Sequence, residues 1–377
     1  MAKITLASVL LPLFKRNLFL GKLHSFMYYA WDSRLKKVIP SSPINSRCTR
    51  IHVSVSISYV ILQILLIRTS PIALSDKVFP ATLTWMYIAC TVIGVEWCAD
   101  TASIQLMNLI YKTEESEELA SGAWQSIIFQ KIIQLTYFLM DLSCHFVFPP
   151  AMAFLLMLLP CQLPFLGSVI LPGCEFTRSP FPSHVYLNLV VKVVLILFEF
   201  SQIFRNLITG MHYGMYIVIA GILHLWEASS KIVGSPGFSK NYRQLQVLEA
   251  VVNGALRDKL FPSFLVLCPF MQIMATYASV KFHDGMPATY LIFVVLLSVE
   301  GVILNGLYST AAAVIYRKSD AYLKAAKGVV LIKLDKKVLK SYTPLRVRFG
   351  SNFMDRLTPL VLQEFIAMQT INLLLLT

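Results

Sequence analysis

Between Arg317 and Thr377 the chain passes from a strongly basic block straight into an apolar terminal run, and that pairing leaves few folds open. The block 317–356 carries eleven Lys and Arg residues against Asp320, Asp335 and Asp355. Because Lys and Arg are retained on the cytoplasmic side of membranes, the block is expected inside. Residues 357–377 then supply the roughly 20 positions a helix needs to cross about 30 Å of hydrocarbon. The run is not purely apolar, since Thr358, Gln363, Glu364, Gln369, Thr370 and Asn372 interrupt it. At about 100° per residue most of these fall into strips that want protein or water beside them. Interhelical hydrogen bonding in a bundle and the lining of a pore both satisfy them.

The rest of the chain agrees with a membrane setting. It is 56% hydrophobic and 14% charged, against about 25% charged in soluble domains. The expectation is an all-α polytopic membrane protein in the plasma membrane. A net charge of +13 would fit nucleic acid, but the basic residues concentrate between apolar runs on one side, where anionic lipid headgroups answer them. No nucleic-acid partner is implied. The seven cysteines show no CxxC or Cys/His spacing for a metal. Cys161 and Cys174 flank a loop bearing Pro and Gly that lies outside in this topology, where a disulfide can form.

Residues 1–50 form a basic arm, with nine Lys and Arg against Asp32, and are read as cytoplasmic or interfacial. The transmembrane domain is 51–377. Its first span runs from about His52 to Ile67 and its second from about Phe79 to Ala99. A third begins near Lys131, runs to about Leu159 and must bend or break at Pro149 and Pro150. From Val185 to Trp226 the apolar run is too long for one simple span and too short for two with a loop. It reads as one long helix entering the cytoplasm, broken near Gly210. In the next cytoplasmic stretch Tyr242, Leu245, Leu248, Val252 and Leu256 repeat at threes and fours, an amphipathic helix. A fifth span (260–280), a tight outer turn, a sixth (289–316) and the candidate pore helix 357–377 complete a seven-transmembrane helix bundle. The N-terminus is expected in the cytoplasm and the C-terminus outside.

Ionisable residues within spans are the candidates for chemistry. In the fourth, Asn188, Lys192, Glu199, Gln202 and Asn206 form one polar stripe, either interior glue or part of a ligand or ion path. Glu300, and Asp141 with His145, are possible partners for the Lys192 region. Trp85, Tyr87, Phe148, Tyr186, Tyr290 and Phe293 suit either an interface belt or an apolar ligand pocket. No G-x-S-x-G, H-E-x-x-H or P-loop motif occurs, so no enzyme and no cofactor are expected.

The layout resembles the insect-type odorant and gustatory receptor superfamily: seven spans with the N-terminus inside, a long fourth helix, an amphipathic cytosolic stretch after it, a tight turn between spans five and six, and a basic loop before the last helix. The gustatory branch carries a Thr-Tyr signature followed by Gln and Phe in that last helix. Here Thr358, Gln363 and Phe365 stand in the corresponding place, with Pro359 where the family has Tyr. The resemblance implies a chemosensory receptor, a homo- or heterotetrameric cation channel subunit opened by a small organic ligand. It implies that Gln363, Phe365, Gln369 and Asn372 line the pore, and that segments about 207–259 and 317–356 anchor the tetramer. Tyr186, Lys192, Glu199, Tyr290 and Glu300 are the ligand-site candidates. A membrane transporter, or a seven-span receptor that is not a channel, is the alternative; a G-protein-coupled receptor would need the basic N-terminus outside.

Overall fold

The computed structural model describes residues 6–72, 74–117, 127–171, 185–232, 238–284, 286, 288–328 and 333–376. The basic arm is built rather than loose. Helix α1 (Leu6–Leu23) leads into an antiparallel hairpin of β1 (Tyr29–Asp32) and β2 (Lys37–Pro40), with Ala30 opposite Ile39. Ser42 then caps α2 (Pro43–Thr69) by accepting the Asn45 amide at 3.3 Å, and Pro43 takes a first-turn position where its missing N–H is not needed. That cap starts the first long helix several residues before His52, so the end of the arm forms its opening turns.

Helix α3 (Leu74–Gly94) follows α2, and α4 (Thr101–Glu117) is capped by Asp100, whose carboxylate accepts the Ala102 and Ser103 amides at 3.1 and 2.9 Å. The hairpin docks on α4 through Asn108, which accepts the Val38 amide at 2.7 Å and donates to the Val38 carbonyl at 3.0 Å. The third span is α5 (Ile127–Leu142) and α6 (Phe148–Leu158), joined by a π-helical turn, Ser143–Val147. The two prolines do not break it. They fall in the first turn of α6, and the wide turn just before them absorbs the missing donors.

After the one-turn α7 (Gly167–Ile170), α8 (Val185–Gly210) continues through a π-helical stretch, Met211–Ile219, into α9 (Ala220–Ile232). The expected break at Gly210 is thus a change of helical pitch. Two glycines there admit close neighbours: a Cβ on Gly210 would sit 3.1 Å from Cys90 Sγ, and one on Gly214 would sit 2.9 Å from the Phe264 ring. Next come α10 (Phe238–Leu256), α11 (Leu260–Lys281) and α12 (Ala288–Gly328). At 1.5 Å per residue the 41 residues of α12 extend about 60 Å, well beyond one bilayer core. A short α13 (Lys333–Ser341), a hairpin of β3 (Arg348–Phe349) and β4 (Asn352–Phe353), and α14 (Thr358–Leu376) complete the described chain.

Among the described residues six helices are long and apolar enough to cross a membrane: α2, Asp76–Gly94 of α3, Lys131–Leu158, α11, Tyr290–Ala326 of α12, and α14. The protein is a multi-pass membrane protein. Helix α8 carries Lys192, Glu199 and Arg205 and packs between α3 and α6. Two cores hold the bundle. One, at the end bearing the basic segments, joins α1, α4, the π-helical stretch, α9, α10 and the adjacent parts of α11 and α12. The other, towards the opposite end, gathers Tyr59, Phe79, Leu83, Tyr87, Met152, Phe165, Ala275 and Val294. The amphipathic reading of α10 holds, with Tyr242, Leu245, Leu248, Val252 and Leu256 all buried. Outside these cores Phe154, Val190, Val266 and Ile292 stand exposed, as lipid-facing side chains do.

Candidate functional site

Helix α14 is the least covered of the six membrane-length helices: 11% of its stretch is buried within the subunit. It rests on α11 and α12 through Ile366 and Thr370, which are buried. Among the pore candidates, Gln363 turns inward and its side-chain oxygen accepts from Gln272 Nε2 at 3.5 Å. Gln272 in turn accepts from Asn305 Nδ2 at 2.7 Å, and Asn305 from Tyr308 OH at 2.8 Å. This buried relay ties α14 to α11 and α12, and Gly301 lets it close, because a Cβ there would meet Gln272 Cβ at 2.9 Å. Gln369 is half-buried at the flank. Phe365, 52% exposed, and Asn372 lie on the uncovered face with Val361 and Met368, at spacings of four, three and four.

The start of α14 is set by Asp355, whose carboxylate accepts the amides of Leu357 and Thr358 at 3.0 and 2.9 Å and the Thr358 hydroxyl at 2.6 Å. The Thr358 hydroxyl bond leads these contacts in holding the Asp355 pKa below the usual carboxylate value. A lowered folded pKa means that the contribution is present above the unfolded value of about 3.9 and is lost as pH falls through the folded one. Protection factors in the first turn of α14, taken relative to intrinsic exchange at each pH, should therefore fall selectively on acidification. Asp355→Asn should remove that pH dependence; unchanged dependence in the variant would assign it elsewhere.

The ligand candidates divide between two places. Glu199 is buried and bridges elements: Oε2 accepts from Tyr59 OH at 2.5 Å and Oε1 from the Leu166 amide at 2.9 Å. Lys192 points away from it, donating to the Met157 carbonyl at 3.0 Å on the exposed side, so the two do not pair. Across α3, Tyr290 stacks on Phe79 with ring centroids 3.9 Å apart and donates to Gln162 Oε1 at 3.1 Å. Phe293 bridges Phe79 and Phe148 at 5.7 and 5.3 Å. Glu199 and Tyr290 thus border one aromatic cluster, joined by Tyr59 against Tyr87 at 5.6 Å and floored by the buried Phe165. Glu300 lies half-buried within electrostatic reach of Cys144 in the third span. Trp85 belongs to another neighbourhood, packed on Phe270 at 4.0 Å. The side chains of Tyr186 and Asn188 lie outside the described residues. Cys161 is disulfide-bonded and Cys48, Cys90, Cys98, Cys144 and Cys268 are free; the expected pairing with Cys174 lies outside the described residues.

No protein-family model matches this sequence, and no curated relative does. Solved structures do match. The insect olfactory receptor OR5 from Machilis hrabei, alone and in complex with eugenol, superposes in both cases over 98% of this chain and 99% of its own, with a TM-score of 0.55 and 11% identity. The fold is that of an insect olfactory receptor. Both neighbours are receptors, in keeping with the absence of enzyme motifs.

Within this receptor fold several residues do work that the sequence left unread. Arg205, fully buried, donates to Ser56 Oγ at 2.5 Å, and Ser56 donates to Gln202 at 2.7 Å. Asp141 and His145 serve α1 rather than the Lys192 region. Arg16 forms an ion pair with Asp141, and Asn17 Nδ2 lies 3.4 Å from His145 and 3.2 Å from the Ile208 carbonyl. At the basic end, Glu249 and Asn253 of α10 and Arg257 just past its end recur every four residues and grip the segment ahead of α14. Glu249 accepts the Arg346 amide at 3.0 Å, Asn253 accepts the Arg348 amide and donates to the Arg346 carbonyl at 2.8 Å each, and Arg257 donates to the Gly350 carbonyl at 2.7 Å. Burial raises the Glu249 pKa, against the Arg346 amide and the charges of Arg348 and Arg346. The receptor fold thereby ties α10 directly to the lead-in of its last helix.

Proposed function

We propose that this protein is a chemosensory receptor, a subunit of a cation channel opened by a small organic ligand. The observation that carries the reading is α14. It leaves Phe365, Met368 and Asn372 uncovered, and it holds Glu364 where lipid would not solvate it. A helix of that kind needs partner subunits on one side and water on another, which a central pore lined by one α14 from each subunit supplies. Gln363 is then the subunit's internal tie, with Phe365 and Asn372 facing the axis and Gln369 beside it.

With the basic segments in the cytoplasm, α8 counts as the fourth of seven spans, the N-terminus lies inside and the C-terminus outside. Segments 207–259 and 317–356 form the cytoplasmic anchor around which four subunits would gather at the plasma membrane. The grip of α10 on residues 346–350 supports that assignment. The aromatic cluster between Tyr59, Phe79, Phe165 and Tyr290 is the ligand region, and eugenol in the superposed receptor supports a small organic molecule as its occupant.

A cysteine scan of α14 in a Cys98→Ser background tests the pore. Val361→Cys, Phe365→Cys, Met368→Cys and Asn372→Cys should react with a water-soluble thiol reagent and change the cation current, while Ile366→Cys and Thr370→Cys stay protected. Uniform protection along the helix would defeat the channel reading and favour a transporter or a receptor that does not conduct.

A further inference from the structure

We propose that the surface where α1 meets the first turns of α2 is a docking site for acidic phospholipid headgroups. The two elements are locked together there. Thr49 Oγ1 donates to the Ser25 carbonyl at 2.9 Å, and Ser25 Oγ lies 3.5 Å from Asn45 Oδ1. Around this junction Lys22, Arg47 and Arg50 are exposed, beside Phe19 and Leu23 at 63% and Ile44 at 73%. Apolar side chains this exposed are out of place on a surface meant for water alone, and cations interleaved with them match the boundary between acyl chains and charged headgroups.

The level of the site is fixed by α2. Arg47 and Arg68 are both exposed, and the 21 residue steps from one to the other rise about 31 Å, one hydrocarbon thickness. The chain between Arg50 and Arg68 holds no Asp, Glu, Lys or Arg. When Arg68 sits at one headgroup plane, Arg47 therefore sits at the other, with Lys22 and Arg50 close by.

The neighbouring carboxylates of Asp32 and Glu96 are engaged by other donors. Asp32 accepts the Arg34 and Leu35 amides at 2.8 and 3.1 Å, and Glu96 accepts the hydroxyls of Tyr29 and Tyr213 at 2.7 Å each. Arg50 is steered outward by its bond to the Trp97 carbonyl at 2.9 Å. Trp97, itself exposed, adds an interfacial aromatic at the same height. The partner that fits is the anionic headgroup of a lipid whose tails lie against α2. An acidic segment of a soluble protein would meet the charges but leave Ile44 and Leu23 uncovered.

The test uses the full chain with Leu23→Cys in a Cys48→Ser, Cys98→Ser background, labelled with bimane and reconstituted in nanodiscs of phosphatidylcholine and phosphatidylserine. A nitroxide on the phosphatidylserine acyl chain near the glycerol should quench the label about fivefold more effectively than the same nitroxide on phosphatidylcholine. Fivefold corresponds to about 1 kcal/mol in all, the contribution of roughly one basic residue at a charged surface. Lys22→Gln, Arg47→Gln and Arg50→Gln together should abolish the preference while both lipids still quench. Equal quenching with the native residues, a preference that survives the triple substitution, or no quenching by either lipid each overturns the proposal. Both leaflets of the disc share one composition, so the outcome depends on neither orientation in the cell nor channel activity.

Discussion

Asn253→Ala is expected to destabilise the protein by about 2–4 kcal/mol, far more than an ordinary change on the exposed face of a helix. The side chain serves two backbone groups at once, accepting from the Arg348 amide and donating to the Arg346 carbonyl, both at 2.8 Å. Truncation leaves a donor and an acceptor in a largely buried crevice, each costing about 1–3 kcal/mol when stranded. The loss should fall on one segment. Amide exchange should rise across 345–354, which leads into α14, before it rises in α11 or α12. Gln244→Ala, on the exposed side of the same helix, is the control and should stay within about 0.5 kcal/mol of the parent. A loss below about 1 kcal/mol for Asn253→Ala, or a uniform rise in exchange, would show that α10 does not grip the segment.

What the sequence revealed and what it hid follow from the physics of each signal. Helix α10 was legible because Tyr242, Leu245, Leu248, Val252 and Leu256 state a 3.6-residue period that only one helical face can satisfy. The membrane-length helices were legible because apolar length is a direct requirement of the bilayer. The π-helical stretches at Ser143–Val147 and Met211–Ile219 left no such mark. A shift from four-residue to five-residue bonding changes pitch without demanding a distinctive composition.

The arm 1–50 was under-read because its charge speaks only to a side of the membrane and says nothing about packing. The anchors that hold it are polar side chains on distant elements: Asn108 for the hairpin and Asp141 for Arg16. At the candidate site the stripe on α8 was visible as a pattern, yet a pattern cannot name partners. Glu199 finds a tyrosine and a loop amide, Lys192 finds a carbonyl, and Arg205 lay outside the stripe as drawn although it is one of the most buried charges in the chain. The polar residues of α14 could likewise be placed on strips, but only Gln272 decides that Gln363 belongs to the subunit interior.

Glu199→Leu is expected to cost about 2–5 kcal/mol and to loosen the segment 163–171. The carboxylate accepts from Tyr59 OH and from the Leu166 amide, at 2.5 and 2.9 Å, and leucine can replace neither bond. Removing a buried carboxyl also removes its desolvation penalty, which works in the opposite direction, so a second variant is needed to separate the terms. Glu199→Gln keeps an acceptor oxygen for the Leu166 amide, and its amide N–H can donate to the Tyr59 hydroxyl oxygen in place of the bond the carboxylate accepted; about half the loss of Glu199→Leu, or less, is expected. The two outcomes are distinguishable by exchange at the Leu166 amide, which should lose protection in Glu199→Leu. The same substitutions bear on the proposed ligand region, because Phe165 fills the floor of the aromatic cluster only while Leu166 is held against α8. If Glu199→Leu kept native stability and a protected Leu166 amide, the loop would be positioned by Phe165 packing alone, and Glu199 would have no part in shaping that cluster.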